Sequence, residues 1–259
     1  MEERPNILIV GYGTVGTRVY NELCSEEGSL YGCIGAYDPA KYMTNRLFNA
    51  DFMFICVDTP ILDGKIDLSQ VETAIQDNKP YLKKDGVMVI KSTVLPGTTD
   101  YLKEKYRIRI IHSPEYYGAT QHCNNYDFNF TILGGDEDSC VKVQQLLQEL
   151  HDSRHKFYIT DAKTAELTKY MENAYLATMV SFCTQFYEIA EQAGVKYEKL
   201  RELFTLDPRV GGHTFVYRDR PYWKSHCLDK DVPTIANAYN AEFLLDMIKF
   251  NDKQKEKYG

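Results

Sequence analysis

Apolar residues run through 6–10 and stop at Gly11-Tyr12-Gly13-Thr14-Val15-Gly16, after which Val15, Val19 and Leu23 return at helical spacing. An unbroken apolar run, a glycine turn and a 3.6-residue period predict a strand, a tight turn and a helix. Two further apolar runs, 31–37 and 51–57, each end in a polar or turn residue, and a helical pattern over 68–82 separates them from a run at 86–90. Residues 107–112 and 128–133 read as two more strands, the second closed by Gly134-Gly135, and 139–150 has the spacing of an amphipathic helix. Strands alternating with helices predict an α/β fold, a Rossmann-like doubly wound parallel sheet with helices on both faces.

From residue 161 the period changes. A long helix is predicted over 161–193, with Ala165, Met171, Ala174, Leu176, Ala177 and Val180 on its apolar positions and Gly194 closing it. A second helical piece, a Gly/Pro/Arg-rich loop over 207–226 and a final helix over 240–253 follow. The pattern divides the chain into an α/β domain over 1–160 and an all-helical domain over 161–259, with no internal repeat.

With 44% hydrophobic, 26% charged and 13% aromatic residues, the 259-residue chain has enough apolar surface to offset the entropy of ordering, which excludes disorder. Thirty Lys+Arg against 37 Asp+Glu give a formal charge of −7 and argue against nucleic acid as a partner, since duplex binding needs clustered cations. Lys253, Lys255 and Lys257 read as a solvated helix end. No apolar run approaches the ~20 residues of a bilayer span, and the charged start carries no signal-like segment, so no membrane is expected and the expected location is the cytoplasm. Cysteines at 24, 33, 56, 123, 140, 183 and 227 form no CxxC pair and no Cys/His cluster. Neither a disulfide framework nor a metal site is expected, and the odd count leaves a thiol open for chemistry.

The glycine pattern has a physical task in its strand–helix context. The first glycine permits the turn, the second lets backbone approach a pyrophosphate, and the third lets helix and strand pack, with the helix N-terminus facing the anion. Gly11, Tyr12, Gly13, Thr14, Val15 and Gly16 are the candidate cofactor loop. Asp38, 22 residues after Gly16, closes the second strand, where a carboxylate accepts from an adenosine ribose and repels a 2′-phosphate, favouring NAD over NADP. A plain strand–helix turn and a strand-end residue before Pro39 are the alternatives.

Further segments line up in order: Cys56-Val57-Asp58-Thr59-Pro60 with Asp63-Gly64, Lys91-Ser92-Thr93-Val94-Leu95-Pro96-Gly97-Thr98, and Ser113-Pro114-Glu115-Tyr116. After them come Glu166-Leu167-Thr168-Lys169-Tyr170-Met171-Glu172-Asn173-Ala174, Asp207-Pro208-Arg209-Val210-Gly211 and Cys227-Leu228-Asp229-Lys230-Asp231. This series resembles the UDP-glucose/GDP-mannose dehydrogenase family. The resemblance implies an NAD-dependent enzyme that oxidises the C6 alcohol of a nucleotide sugar to a carboxylate, a homodimer paired through its helical domain.

By that resemblance Cys227 is the nucleophile that captures the aldehyde as a thiohemiacetal and later carries a thioester. A helix beginning there would favour the thiolate through its dipole and place Asp231, four residues on, on the same face as proton acceptor or orienting group. Lys169 and Asn173, also four apart, correspond to the pair that faces the substrate, where an ammonium stabilises a C6 oxyanion; an exposed lysine on a solvated helix is the alternative. Glu115 corresponds to the carboxylate that activates water for thioester hydrolysis and contacts substrate, and Thr93 to the residue that holds that water or the nicotinamide edge. Val57, Thr59, Pro60, Ser92 and Lys230 correspond to further cofactor contacts. Arg209 corresponds to an arginine that reaches the neighbouring subunit's substrate, with a surface salt bridge as the alternative.

The chain also departs from the family. Tyr222-Trp223-Lys224-Ser225-His226 stands where family members have a glycine-rich loop, so side chains are expected to crowd the site. Ala119 replaces a second glutamate and Asp229 a common proline, and an anion two residues from Cys227 is expected to oppose thiolate formation. The usual second Rossmann-like domain that closes over the nucleotide is not expected within these 259 residues. Two other readings stay open: a dehydrogenase of a smaller alcohol or a sugar phosphate, and a dinucleotide-binding protein without dehydrogenase activity.

Overall fold

The structure, a computed structural model, describes residues 4–25, 31–44, 49–62, 65–116, 128–210 and 221–259. Asp63-Gly64, Ala119, Cys123, Gly211 and most of the predicted loop after it lie outside the described residues. The chain divides into two compact units, one reaching Pro60 and resuming over Ile66–Lys169, the other made of Ile61–Lys65 and Tyr170–Gly259.

The first unit is built on an eight-stranded sheet whose strands and helices follow the predicted alternation, and a short ribbon interrupts it in the sequence. Strands β1 (Asn6–Val10), β2 (Cys33–Asp38), β3 (Met43–Thr44) and β4 (Ala50–Ile55) are followed by the two-stranded ribbon β5 (Ile61–Leu62) and β6 (Lys65–Ile66). Strands β7 (Leu82–Ile90), β8 (Arg109–His112), β9 (Phe130–Gly134) and β10 (Lys156–Thr160) complete an eight-stranded sheet in the order β10-β9-β8-β7-β4-β1-β2-β3. The five central strands, β2, β1, β4, β7 and β8, are parallel. The doubly wound parallel arrangement holds there, and the edges differ from it: β3 pairs antiparallel with β2, and β9 meets β8 antiparallel through Gly134 and His112.

Helices α1 (Thr14–Ser25) and α4 (Glu137–Gln148) cover one face of the sheet, and α2 (Ser69–Asn78) and α3 (Thr98–Tyr106) the other. Strand β1 shows why a continuous apolar run marks such a sheet. Ile7 and Ile9 pack with Val19 and Leu23 of α1 and Val143 of α4, while Leu8 and Val10 pack with Val71 and Ile75 of α2 and Leu102 of α3. With both faces covered, alternation has no polar half. The helix expected over 68–82 stops at Asn78 because Pro80 cannot donate the next helical hydrogen bond, and a 3-10 turn, Lys79–Tyr81, leads into β7.

The long helix appears as α5 (Ala162–Gln192), followed by α6 (Tyr197–Phe204). The final helix, expected over 240–253, is α8 (Glu242–Tyr258), and a further helix, α7 (His226–Tyr239), precedes it, ended by Asn240 at φ +48 in the left-handed conformation. The helical unit has its own core of Ala177 and Val180 from α5, Leu228 and Val232 from α7, Met247 from α8 and Trp223.

Trp223 corrects the expectation of a crowded loop. Its indole is buried in that core and donates from Nε1 to Ser181 Oγ at 3.0 Å, while its backbone exchanges two hydrogen bonds with the Asn251 side chain at 2.9 and 3.0 Å. The largest side chain of this stretch therefore lies inside the helical core. Trp223 is the single tryptophan of the chain, so its fluorescence reports on this core. Trp223→Ala is expected to destabilise the helical unit by about 3–5 kcal/mol, read by urea denaturation followed by circular dichroism. A loss below about 1 kcal/mol would contradict its anchoring role.

Candidate active site

The chain leaves β1 through Gly11, held at φ +89, where a Cβ would stand 2.6 Å from the Cys56 carbonyl oxygen. A Cβ on Gly16 would stand 1.9 Å from the Gly11 carbonyl oxygen, so this glycine lets α1 start against the turn. A Cβ on Gly13 would meet nothing within 4 Å. Open space therefore lies in front of Gly13 at the start of α1, where the helix dipole favours an anion, and a pyrophosphate fits the loop.

Asp38, at the carboxyl end of β2, accepts from the Tyr12 amide at 2.8 Å and from Ala40 N at 3.1 Å. The carboxylate is thus fixed against the glycine loop and keeps lone pairs for a ribose hydroxyl. Lys41 donates to the Tyr12 carbonyl at 2.5 Å. The loops after β4 and β7 are tied to each other at the same edge of the sheet: Ser92 Oγ donates to Val57 O at 2.6 Å and buried Thr59 donates to Thr93 O at 2.8 Å. Val57, Thr59, Pro60, Ser92 and Thr93, expected near the cofactor, are brought into one strip there. In an open α/β sheet the ligand crevice lies at this carboxyl edge, where the strand order reverses beside β1.

Glu115 lies just beyond β8. Its Oε2 is 3.4 Å from Lys91 Nζ and its Oε1 accepts from the Tyr116 amide at 2.9 Å. Lys91 also reaches Ser113 Oγ at 3.3 Å. Lys169 is buried, with its ammonium 4.9 Å from the centre of the Tyr116 ring, so the exposed-lysine alternative does not hold. The first unit therefore assembles Lys91, Glu115, Tyr116 and Lys169, of which the sequence reading assigned Glu115 and Lys169 and passed over Lys91. Its only signal was the position next to Ser92-Thr93.

Glu166 was also passed over, and it shapes this unit. Gly97 caps α3 without a side chain, and the buried Glu166 carboxylate supplies the acceptors from α5, taking the Gly97 and Thr99 amides at 2.5 and 2.7 Å and the Thr99 hydroxyl at 2.6 Å. Burial pushes the Glu166 carboxyl up and these donors oppose it.

In the second unit, Ser225 caps α7 by accepting from Leu228 N at 3.0 Å, which puts Cys227 in the first helical turn. Cys227 is partly exposed, whereas burial pushes the Cys56 thiol up to about 12 and the Cys140 thiol up to about 11, and raises Cys183. Asp231, buried and one turn further along α7, accepts from Asn173 Nδ2 at 2.6 Å and pairs with Lys230 at 3.2 Å. Asn173 thereby links α5 to α7. Asp229 accepts from the Ser225 amide at 2.7 Å and pairs with Lys255 at 2.7 Å, so its charge is taken up by the cap and a cation. Arg209 is exposed and holds the neighbouring Asp207 carboxylate. Among the described residues there is no cluster of His, Cys, Asp and Glu suited to a metal ion, and no helix long and apolar enough to cross a membrane.

Family models match both units in order. Residues 35–154 match the NAD binding domain of the UDP-glucose/GDP-mannose dehydrogenase family, and residues 163–253 match the central domain of the same family. The chain belongs to the UDP-glucose/GDP-mannose dehydrogenase family. A UDP-N-acetyl-D-mannosamine dehydrogenase of Methanocaldococcus jannaschii is 32% identical over 214 residues, 78% of this chain and 48% of that protein. A UDP-glucose 6-dehydrogenase of Rickettsia prowazekii is 29% identical over 221 residues, 80% of this chain and 50% of that one. The chain spans about half the length of these relatives. Its fold matches a UDP-D-ManNAc dehydrogenase structure from Pyrococcus horikoshii with a TM-score of 0.80 at 21% identity, over 96% of this chain and 68% of the other.

The family's cofactor and the open Gly13 position give a direct test. Gly13→Ala is expected to keep the wild-type melting temperature and weaken NAD binding at least about tenfold by calorimetry, a loss of ~1.4 kcal/mol. Gly16→Ala, which drives a Cβ into the Gly11 carbonyl, is expected to lower the melting temperature itself. Equal NAD affinity in Gly13→Ala would remove the loop as the pyrophosphate site.

Proposed function

We propose that the chain carries the cofactor-binding and catalytic parts of an NAD-dependent nucleotide-sugar dehydrogenase that takes a C6 alcohol to a carboxylate. The reading rests chiefly on one arrangement in a member of this family: a partly exposed thiol, Cys227, in the first turn of α7, with the buried Asp231 one turn on and held by Asn173 and Lys230. The names of the two relatives favour a UDP-hexose as substrate.

The glycine loop, Asp38 and the strip from Val57 to Thr93 would hold NAD, which would accept one hydride; a second NAD taking its place would accept the other, and the two together are the change from alcohol to acid. The chain's own residues handle protons and carbon. Lys169 stabilises the C6 oxyanion, and Asp231 orients the end of α7 and accepts a proton. A free thiol is a weak nucleophile at neutral pH, with only about 3% thiolate at a pKa of ~8.5, so the helix dipole at Cys227 matters. The Cys227 thiolate adds to the aldehyde carbon, and oxidation of the resulting thiohemiacetal leaves a thioester. Glu115 then takes a proton from water as the oxygen attacks the acyl carbon and the Cys227 sulfur departs.

With UDP-glucose or UDP-N-acetylmannosamine and NAD, the wild type is expected to form two NADH per carboxylate, followed at 340 nm and by mass spectrometry of the product. Cys227→Ala is expected to lower carboxylate formation at least about 10³-fold, the range of a lost covalent nucleophile. Turnover of a small hydroxy acid or a sugar phosphate with no response to either nucleotide sugar would select the other dehydrogenase reading.

We further propose that the protein pairs with a second copy through the helical unit and works in the cytoplasm. On α5, Met171, Tyr175, Phe182, Phe186 and Ile189 stand exposed at helical spacing, and Phe182 stacks near Phe186 and Phe204 at ring distances of 4.9 and 6.3 Å. A row of this kind on one helix suits a twofold partner. Sedimentation velocity is expected to show a dimer, and Phe186→Glu a monomer with an unchanged circular dichroism spectrum. A monomeric wild type at tens of micromolar would reject the pairing.

A further inference from the structure

We propose that Lys91 is the positioning residue for Glu115: its ammonium orients the carboxylate and keeps it ionised as the base. This inference rests on the general-base reading of Glu115 given above. Lys91 follows β7 directly and is largely buried, so its stem is fixed by the sheet edge. From there Nζ stands 3.4 Å from Glu115 Oε2 and 3.3 Å from Ser113 Oγ, while the Tyr116 amide holds Oε1. Oε2 is thus held by the cation at the end of β7 and Oε1 by the amide of the next residue. A lysine is suited to this task because a compact ammonium acts as a point charge without imposing a bidentate geometry.

Other titratable groups face the pair, and among them Lys91 stands at ion-pair distance from Glu115. Glu22 of α1 lies within electrostatic reach of both Lys91 and Glu115 and is itself pushed up, chiefly by burial. Cys56, at the end of β4, is held protonated by burial and senses both charges. His112, one residue before Ser113, is fully buried, and desolvation aided by the Lys91 charge lowers it to about 3, so it adds no positive charge near neutrality. Lys169 stands over the Tyr116 ring. A second carboxylate nearby and a low-dielectric surrounding both favour a protonated Glu115, and a cation at 3.4 Å opposes them. A protonated Glu115 cannot accept a proton from water.

The test labels glutamate side-chain carboxyl carbons with ¹³C and assigns Glu115 as the resonance missing in Glu115→Gln. In Lys91→Met the pH at which Glu115 titrates is expected to rise by about 1–3 units, and in Lys91→Arg to return to within about half a unit of wild type. The acid limb of the pH profile for carboxylate formation is expected to move by the same amount, with little change in KM. If Lys91→Met melts early, Lys91→Gln, which keeps a donor for Ser113 and removes the charge, carries the same reading. An unmoved Glu115 titration in a folded neutral variant, or a Lys91→Arg shift equal to that of Lys91→Met, overturns the role of Lys91. A wild type that makes no carboxylate from any nucleotide sugar overturns the general-base reading instead, and the titration still decides whether Lys91 governs the charge of Glu115.

Discussion

Strand β1 is closed in on every side: helices cover both of its faces and strands pair with both of its edges. Ile7, Leu8, Ile9 and Val10 are almost wholly out of water, each contributing about 1.5–3 kcal/mol, and a slip of one residue would exchange the two faces. The register is thereby fixed, and with it the point at which the chain must escape. That escape passes close under the Cys56 carbonyl, so it needs a residue without a Cβ at positive φ, which is Gly11. The parallel neighbours of β1 end at the same edge, so Asp38, Val57, Ser92 and, through β8, Glu115 issue from one line.

The ends of helices organise the charges on this scaffold. At α1 the first turn faces open space in front of Gly13. At α3 the donors are met by Glu166, far away in sequence and fully buried, which fastens the start of α5 to the sheet unit. At α7 the cap is local, Ser225, and the Asp229 carboxylate turns back to the cap amide and out to Lys255. The anion that the sequence set two residues from Cys227 is thus already satisfied by a backbone donor and a cation. Its opposition to a thiolate is weakened accordingly, while the dipole of α7 acts on Cys227 directly.

In each unit a cation stands beside a carboxylate singled out by the resemblance. Lys91 stands by Glu115 and Lys230 by Asp231, and in both pairs a neutral donor, the Tyr116 amide or the Asn173 side chain, completes the carboxylate's shell. Such shells reduce the desolvation penalty of a buried charge and fix its direction, which a proton acceptor needs.

Much of this was legible in the sequence. Apolar period and glycine spacing located the central strands, α1 and the long α5, because local geometry imposes those patterns wherever the segment ends up. Asp38 stood out by its distance from the glycine loop, whereas Cys227 and the Lys169/Asn173 pair stood out only through the resemblance of their motifs to a family, since spacing alone does not set one thiol or lysine apart. Three things depended on packing. The reversed pairings of β3 with β2 and of β9 with β8 follow from pairing across the sheet, which leaves no mark on the period of a short strand. The Trp223 side chain enters the helical core because Ser181 and Asn251, distant in sequence, offer it partners, whereas the sequence shows only bulk near a nucleophile. Lys91 meets Glu115 because β7 and β8 are neighbours in register and deliver residues 24 apart to one edge, and Glu166 reaches Gly97 across 69 residues. Local order along the chain was the sequence's to determine, since dihedral preference and side-chain period act over a few residues. Which charges meet was decided by the tertiary structure, because electrostatic pairing depends on distances in space that strand order alone supplies.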